Sequence, residues 1–140
     1  MMVAKLTAMV RSRRGSSLVE FALALPVLLG ILFGILLYGQ YFLLAHSVQA
    51  LANDAVRATL GGLNATERRT IASASVLAEL ATLPELTASR VTTTTTEGAG
   101  FVTVSVRYDA GNTAIFRSRL LPMPDPVIER KAVVRTGGIS

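Results

Sequence analysis

The chain has 140 residues, of which 51% are apolar, 16% charged and 6% aromatic, with 14 Lys and Arg residues against 9 Asp and Glu residues and no Cys. This length allows one domain, and the apolar fraction is too high for a disordered chain. The absence of Cys excludes disulfides, thiolate metal sites and a thiol nucleophile.

The positive charge is confined to the N-terminus. Lys5, Arg11, Arg13 and Arg14 lie in the first 15 residues, which contain no acid, and residues 16–140 carry 10 basic against 9 acidic side chains. A basic segment before an apolar run is typical of a cytoplasmic topogenic signal. Because no basic stripe follows it, we expect no nucleic-acid partner.

The next element is an apolar run. Residues 21–37 contain no charged or hydrogen-bonding side chain, and the apolar character continues to Ala45. About 20 apolar residues suffice to span a bilayer. A buried core helix is the alternative, but the rest of the chain has too little apolar surface to wrap it. We therefore predict a single-pass transmembrane helix over residues 16–45, with the N-terminus in the cytoplasm and the rest of the chain exported.

The helical pattern continues beyond the apolar run, over residues 46–62. Glycines are typical of positions past a helix end, so Gly61 and Gly62 predict its end. One helix is thus expected from Ser16 to Leu60. The apolar residues of its exported part that share one face are Val48, Leu51, Ala52, Ala55 and Ala58.

A second, shorter helix is predicted to begin at Asn64, with Glu67 as its capping-box partner, and to end before Pro84. We expect this helix to cover a core. Its predicted apolar face consists of Ile71, Ala74, Leu77, Ala78 and Ala81, with Leu80 beside it.

From Arg90 the period changes to two, which predicts strands. A hairpin is expected with its turn at residues 97–100, followed by a possible third strand over residues 113–121 and a last strand over residues 127–136. Thr92 to Thr96 allow a glycosylation tract, but threonine favours an exposed edge strand. In the second hairpin strand, Val102, Val104, Val106 and Tyr108 share one face, and Phe101, Thr103, Ser105 and Arg107 share the other.

The predicted fold class is therefore α+β. A long N-terminal transmembrane helix extends outward, and a short helix and a small antiparallel sheet follow it. The last two elements would form a small extracytoplasmic domain over residues 63–140.

The carboxylate of Glu20, at the start of the apolar run, needs an explanation because a charge inside a bilayer is costly. One interpretation is an interfacial acid favoured by the helix macrodipole. The other is that the chain is cut after Gly15, so that Glu20 becomes the fifth residue of the mature protein. In a bundle of such helices its carboxylate would pair with the new α-amino group of a neighbouring chain.

This arrangement resembles a class III signal sequence, in which a short basic leader ends in Gly and an apolar helix with Glu at its fifth position follows. Residues 13–26, RRGSSLVEFALALP, are similar to the TadE-like minor pilins, or pseudopilins, of the Flp/Tad (tight-adherence) pilus system. The close resemblance covers about residues 12–45. The matching positions are Arg13, Arg14, Gly15, Val19, Glu20, Phe21, Ala22, Leu23 and Pro26.

The resemblance implies that a prepilin peptidase removes the leader, residues 1–15, by cutting between Gly15 and Ser16. Arg11, Arg13 and Arg14 would supply the charge of the leader, and Glu20 and Phe21 would serve recognition and assembly. The implied partners are other Tad pilins and pseudopilins, the Tad inner-membrane assembly platform and the lipid bilayer. The protein would act in pilus assembly, adhesion or secretion from the bacterial inner membrane or the pilus, without catalysis or a cofactor.

Three further positions in the apolar run have two interpretations each. Pro26 favours a kink but is also tolerated in membrane helices. Gly30 and Gly34 form a G-x-x-x-G spacing that lets two helices approach closely, although such pairs also arise by chance. The only histidine, His46, is interpreted as a polar boundary residue, so no metal site is expected.

Two other organisations compete with the pilin hypothesis. Val48, Gln49 and Ala50 would make a signal-peptidase site, but the apolar run is longer than a usual signal and Glu20 would have no role. The stronger alternative is an uncleaved, single-span membrane-anchored module that binds a partner in the cell envelope. A tethered enzyme has no support, because no nucleophile-elbow, zinc-protease or phosphate-loop motif is present.

Overall fold

The computed structural model describes residues 2–119 and 121–136, and the side chains of residues 15–119 and 121–136. The chain forms two compact units, Met1–Leu37 and Tyr38–Ser140. The described residues of the first are all helical, whereas the second contains the rest of that helix, a shorter helix, a one-turn helix and a sheet. The predicted α+β class is confirmed.

The long helix α1 runs over Met2–Ala58 and ends in a single 3-10 turn, Thr59–Gly61. Its end agrees with the end predicted from Gly61 and Gly62. The buried Thr59 hydroxyl donates a 2.6 Å hydrogen bond to the carbonyl oxygen of Val56, which satisfies one of the last carbonyls of the helix. Pro26 lies inside α1.

Helix α2 runs over Ala65–Leu80 and has the predicted N-cap. The side-chain oxygen of Asn64 accepts a 2.9 Å hydrogen bond from the backbone N–H of Glu67. The carboxylate of Glu67 accepts a 2.8 Å bond from the N–H of Leu63, one residue before the position of a standard capping box. Two N-terminal donors are thus satisfied.

The predicted apolar face of α2 is wrong. Leu77 is 63% exposed, and Ala74, Ala78 and Ala81 are also exposed, whereas Ile71 is half-buried. Alanines lie on several sides of this helix, so the periodicity did not define one face, and the larger Val76 selects the buried stripe. That stripe, spaced every fourth residue, consists of Ala72, Val76 and Leu80.

The sheet has the order β1-β2-β3 and is antiparallel throughout, with β1 over Val91–Gly98, β2 over Phe101–Asp109 and β3 over Val127–Arg135. The central strand shows the predicted alternation, since Val102, Val104, Val106 and Tyr108 are all buried. The threonines of β1 form an edge strand, as predicted. The turn between β1 and β2 consists of Ala99 and Gly100, with φ values of 50° and 78°.

The predicted strand over residues 113–121 is wrong. Ala114–Arg117 form a one-turn helix, α3, within the connection between β2 and β3. The N–H and the hydroxyl of Thr113 donate bonds of 2.8 and 2.6 Å to the carbonyl oxygen of Ala110, which turns the chain locally. The three prolines of residues 122–126 have no N–H to donate to a strand ladder, so β3 begins only after them.

The core of the second unit lies between the second part of α1, the buried stripe of α2 and the inner face of the sheet. The predicted face of α1 is confirmed for Val48, Leu51, Ala52 and Ala55, all 0% exposed, whereas Ala58 is half-buried. Other buried core side chains are Leu44, Ala45, Val56, Leu86, Ala110, Ile115, Ile128 and Ala132.

An ion pair connects α2 to the edge strand. The guanidinium of Arg68 donates bonds of 2.8 and 3.0 Å to the two carboxylate oxygens of Glu97, and a third bond of 2.9 Å to the carbonyl oxygen of Gly62. A Cβ atom at Gly62 would lie 2.5 Å from Cγ of Arg68 and 3.1 Å from its backbone nitrogen. Glycine at position 62 therefore permits the close approach of the two segments.

Candidate membrane and assembly site

The predicted processing residues lie on one continuous helical segment. Gly15, Ser16, Glu20 and Phe21 are all in α1 and all exposed. The Ser16 hydroxyl donates a 3.3 Å hydrogen bond to a carboxylate oxygen of Glu20, across one helical turn. The structure thus places the Glu20 carboxylate within one turn of the residue that would become the mature N-terminus.

The side chains of Arg11, Arg13 and Arg14, predicted to supply the leader charge, lie outside the described residues. Their backbone belongs to α1. Nothing in the fold therefore bears on their predicted role.

The apolar run forms a continuous exposed surface. An 18-residue window with mean hydropathy 2.5 lies in the helical segment Gly15–Gly61, and none of that window is buried. Leu23 is 72% exposed, Phe21 61% and Ile31 58%. By length and composition this helix can cross a membrane, as predicted, although a signal sequence passes the same test. One N-terminal apolar helix fits a single-pass anchor.

Pro26, Gly30 and Gly34 all lie within this surface. A Cβ atom at Gly30 would meet nothing within 4 Å, so no contact among the described residues requires glycine there. The kink at Pro26 and the helix contact at the G-x-x-x-G spacing stay predictions. A contact with a second helix would account for the small residues.

His46 is exposed on α1. Among the residues that the structure describes, no group of three or more His, Cys, Asp or Glu side chains is placed to hold a metal ion. The Ser47 hydroxyl donates a 2.6 Å bond to Glu85.

The sequence reasoning missed an aromatic cluster that lies immediately after the apolar run. The Tyr41 ring makes edge contacts with Phe42 and with Phe116, at centroid distances of 5.8 and 6.2 Å. The Tyr38 hydroxyl donates a 2.6 Å bond to the carbonyl oxygen of Pro122. One signal was available, because aromatic residues at the end of an apolar run are typical of a membrane interface.

The fold and this surface define the class of the protein: an α+β protein in which an exposed apolar helix, long enough to cross a membrane, precedes a small folded unit. Residues 15–57 match the family model described as TadE-like protein, so the predicted resemblance is confirmed over that segment. The match is a likeness of this segment to a Tad pilus-related family, which is not an enzyme family. No curated protein and no solved structure matches the chain.

Proposed function

We propose that this protein is a TadE-like minor pilin, or pseudopilin, which is cut between Gly15 and Ser16 by a prepilin peptidase and acts in Tad pilus assembly, adhesion or secretion. The observation that carries the proposal is the family match, which begins at Gly15 and covers the exposed apolar helix. In this proposal the chain is a substrate and a building block, with no catalytic step of its own.

The exposed position of the processing residues supports cleavage. Gly15 has nothing within 4 Å of an added Cβ, and Ser16 is exposed beside it. A protease therefore meets no tertiary contact of the described side chains at this bond. The basic leader would hold the N-terminus in the cytoplasm and place the cut on that side of the inner membrane.

Glu20 is proposed to select the stagger between neighbouring helices. Among the described residues its carboxylate bonds only to the Ser16 hydroxyl. A carboxylate in an apolar bundle is costly when unpaired, and the α-amino group of an adjacent mature chain would relieve that cost. The remaining apolar surface, including Gly30 and Gly34, would pack against other Tad pilins, the assembly platform or lipid.

The first experiment is the N-terminal sequence and intact mass of the membrane-associated protein, with and without the cognate peptidase. A chain that begins at Ser16 only when the peptidase is present is the expected result. Gly15→Leu should prevent the cut, whereas Gly39→Leu is the matched control, since Gly39 is also an open helical glycine. An unchanged N-terminus in both cases would support the alternative, an uncleaved single-span binding module.

A second experiment separates assembly from processing. Glu20→Gln keeps the shape of the side chain and removes its charge, so the variant should be processed normally but fail to enter the pilus or its base. The readout is co-purification of the processed protein with the other Tad pilins. Normal co-purification of Glu20→Gln would refute the proposed pairing and leave the cleavage step intact.

A further inference from the structure

The connection between β2 and β3, residues 110–126, is fixed to α1 at the point where the apolar run ends. Its Pro122 carbonyl accepts the 2.6 Å bond from Tyr38, and its Phe116 ring contacts Tyr41. Tyr38 directly follows Leu37, the last residue of the apolar run. The connection, called here the β2–β3 loop, therefore lies beside a turn of α1 near the outer end of the span predicted over residues 16–45.

The β2–β3 loop carries two basic side chains without acidic partners. Arg117 and Arg119 are exposed, and neither guanidinium forms an ion pair or hydrogen bond with the described residues. The two acids of this region are used in turns: Asp109 accepts from the N–H of Gly111 at 2.9 Å, and Asp125 accepts from the N–H of Val127 at 2.8 Å. Arg117 and Arg119 are therefore the cationic side chains of the loop that are open to a ligand, whereas the two carboxylates are bound to backbone N–H groups.

Apolar side chains accompany this charge. An open groove of about 520 Å³ runs along the loop and is lined by Phe116, Arg119, Leu121, Met123 and three prolines. Leu121 and Met123 are half-buried, and Pro122 and Pro124 are exposed. Arginines next to partly exposed apolar residues, beside an aromatic cluster, suit a membrane interface better than they suit water alone.

We propose that the β2–β3 loop is a membrane-contact surface that binds anionic phospholipid. Arg117 and Arg119 bind lipid phosphate groups, for which the guanidinium fork is well shaped, while Leu121 and Met123 lie against the outer part of the acyl chains. This surface rests on the proposed function, because it requires α1 to lie in a bilayer. Lipid is favoured over a protein partner because the loop is tied to the α1 turn next to residues 21–37 and because the guanidinium groups of Arg117 and Arg119 are suited to phosphate.

The test uses the absence of cysteine from the natural chain. Met123→Cys and Ile31→Cys are each introduced into the full chain, spin-labelled, and reconstituted in vesicles of phosphatidylcholine with or without phosphatidylglycerol. Collision with a water-soluble paramagnetic reagent is then measured. The label at position 123 should be shielded in anionic vesicles, and Arg117→Gln with Arg119→Gln should abolish that shielding. The matched charge control is Arg69→Gln with Arg107→Gln, at two exposed arginines elsewhere. This variant should keep the shielding of the label at position 123.

The label at position 31 separates the possible failures. If it is shielded while the label at position 123 stays accessible in every vesicle, the loop proposal is wrong and the membrane helix stands. If the label at position 123 is shielded equally with and without phosphatidylglycerol, and equally in the variant that lacks both arginines, phosphate binding is refuted. Shielding in intact cells but not in vesicles would also overturn the proposal and indicate a protein partner. An accessible label at position 31 would overturn the membrane helix and the loop proposal together.

Discussion

Two segments of the same helix differ in what surrounds them. Residues 21–37 are apolar on every side and, apart from the half-buried Gly34 and Leu37, exposed, whereas residues 44–60 are apolar on one face, which is buried in the second unit. The other face of the later segment carries exposed polar side chains such as His46, Asp54 and Arg57. The amphipathic segment therefore finds its cover in the shorter helix and the sheet of its own unit.

The earlier segment has no such cover among the described side chains. A helix that is apolar all round must be buried in a protein core or in a membrane. Its apolar window is 0% buried among the described side chains, which fits the proposed cover by lipid or by a neighbouring helix. Both segments are helical, so the pattern of polar residues, and not the secondary structure, separates the apolar run from the folded unit.

The largest expected effect contrasts two leucines of α1. Leu51→Ala removes a side chain that is 0% exposed and should lower the free energy of unfolding of the second unit by about 2–5 kcal/mol. Leu29→Ala, at a position 42% exposed in the apolar run, should change it by less than about 0.5 kcal/mol. The measurement is loss of the sheet signal in circular dichroism during denaturation in mild detergent. Equal losses would mean that the apolar run contributes to the same core.

A charge placed in the apolar run should have a large effect on membrane insertion, whereas the same charge on the exposed surface of the second unit should have little effect. Ile31→Asp places a carboxylate in the proposed span and should disfavour insertion by about 2.5–3.5 kcal/mol. Leu77→Asp is the control, because Leu77 is 63% exposed on α2. The fraction of protein that resists alkaline extraction from membranes reports the difference. Full retention of Ile31→Asp would contradict a transmembrane position for this residue.

Elements with a strong local pattern were predictable from the sequence. The motif that resembles the TadE-like family is contiguous, so the resemblance was recognised without knowledge of the fold, and the roles of its residues stay predictions. The alternation in β2 identified its buried face, because alternate residues of a strand point to opposite sides of the sheet and the valines and the tyrosine of β2 all fall on one of them. The cap of α2 was found for the same reason, since Asn64 and Glu67 are close in the chain.

The errors occurred where the pattern of apolar residues fitted more than one structure. On α2 the small alanines allowed more than one apolar face, and packing against the rest of the unit selected the stripe that contains Val76. At residues 113–121 the apolar and polar residues fitted a strand, but the local bonds of Thr113 turned the chain. The bond between Tyr38 and Pro122 joins residues 84 positions apart, and no local pattern encodes such a contact.

The smallest expected effect concerns the first acid after the apolar run, Asp54, which lies beside Glu79 of α2. Burial raises the pKa of Glu79, and the neighbouring carboxylate of Asp54 raises it further. The folded state then holds the proton of Glu79 more tightly than the unfolded state does. The contribution of Glu79 to folding is therefore full at pH values below its pKa in the unfolded chain. It is lost as the pH rises through its pKa in the folded protein. The ionised carboxylate is the unfavourable form.

Glu79→Gln should therefore raise the free energy of unfolding at pH 7 by up to about 0.5 kcal/mol and change it little below about pH 4. Glu129→Gln is the control of opposite sign, since bonds from Ser105 and Lys131 lower the pKa of Glu129 and its ionised form favours folding. Thermal unfolding of both variants at the two pH values checks the signs. A stability loss for Glu79→Gln at pH 7 would show that the ionised carboxylate favours folding, contrary to the unfavourable burial and repulsion inferred between α1 and α2.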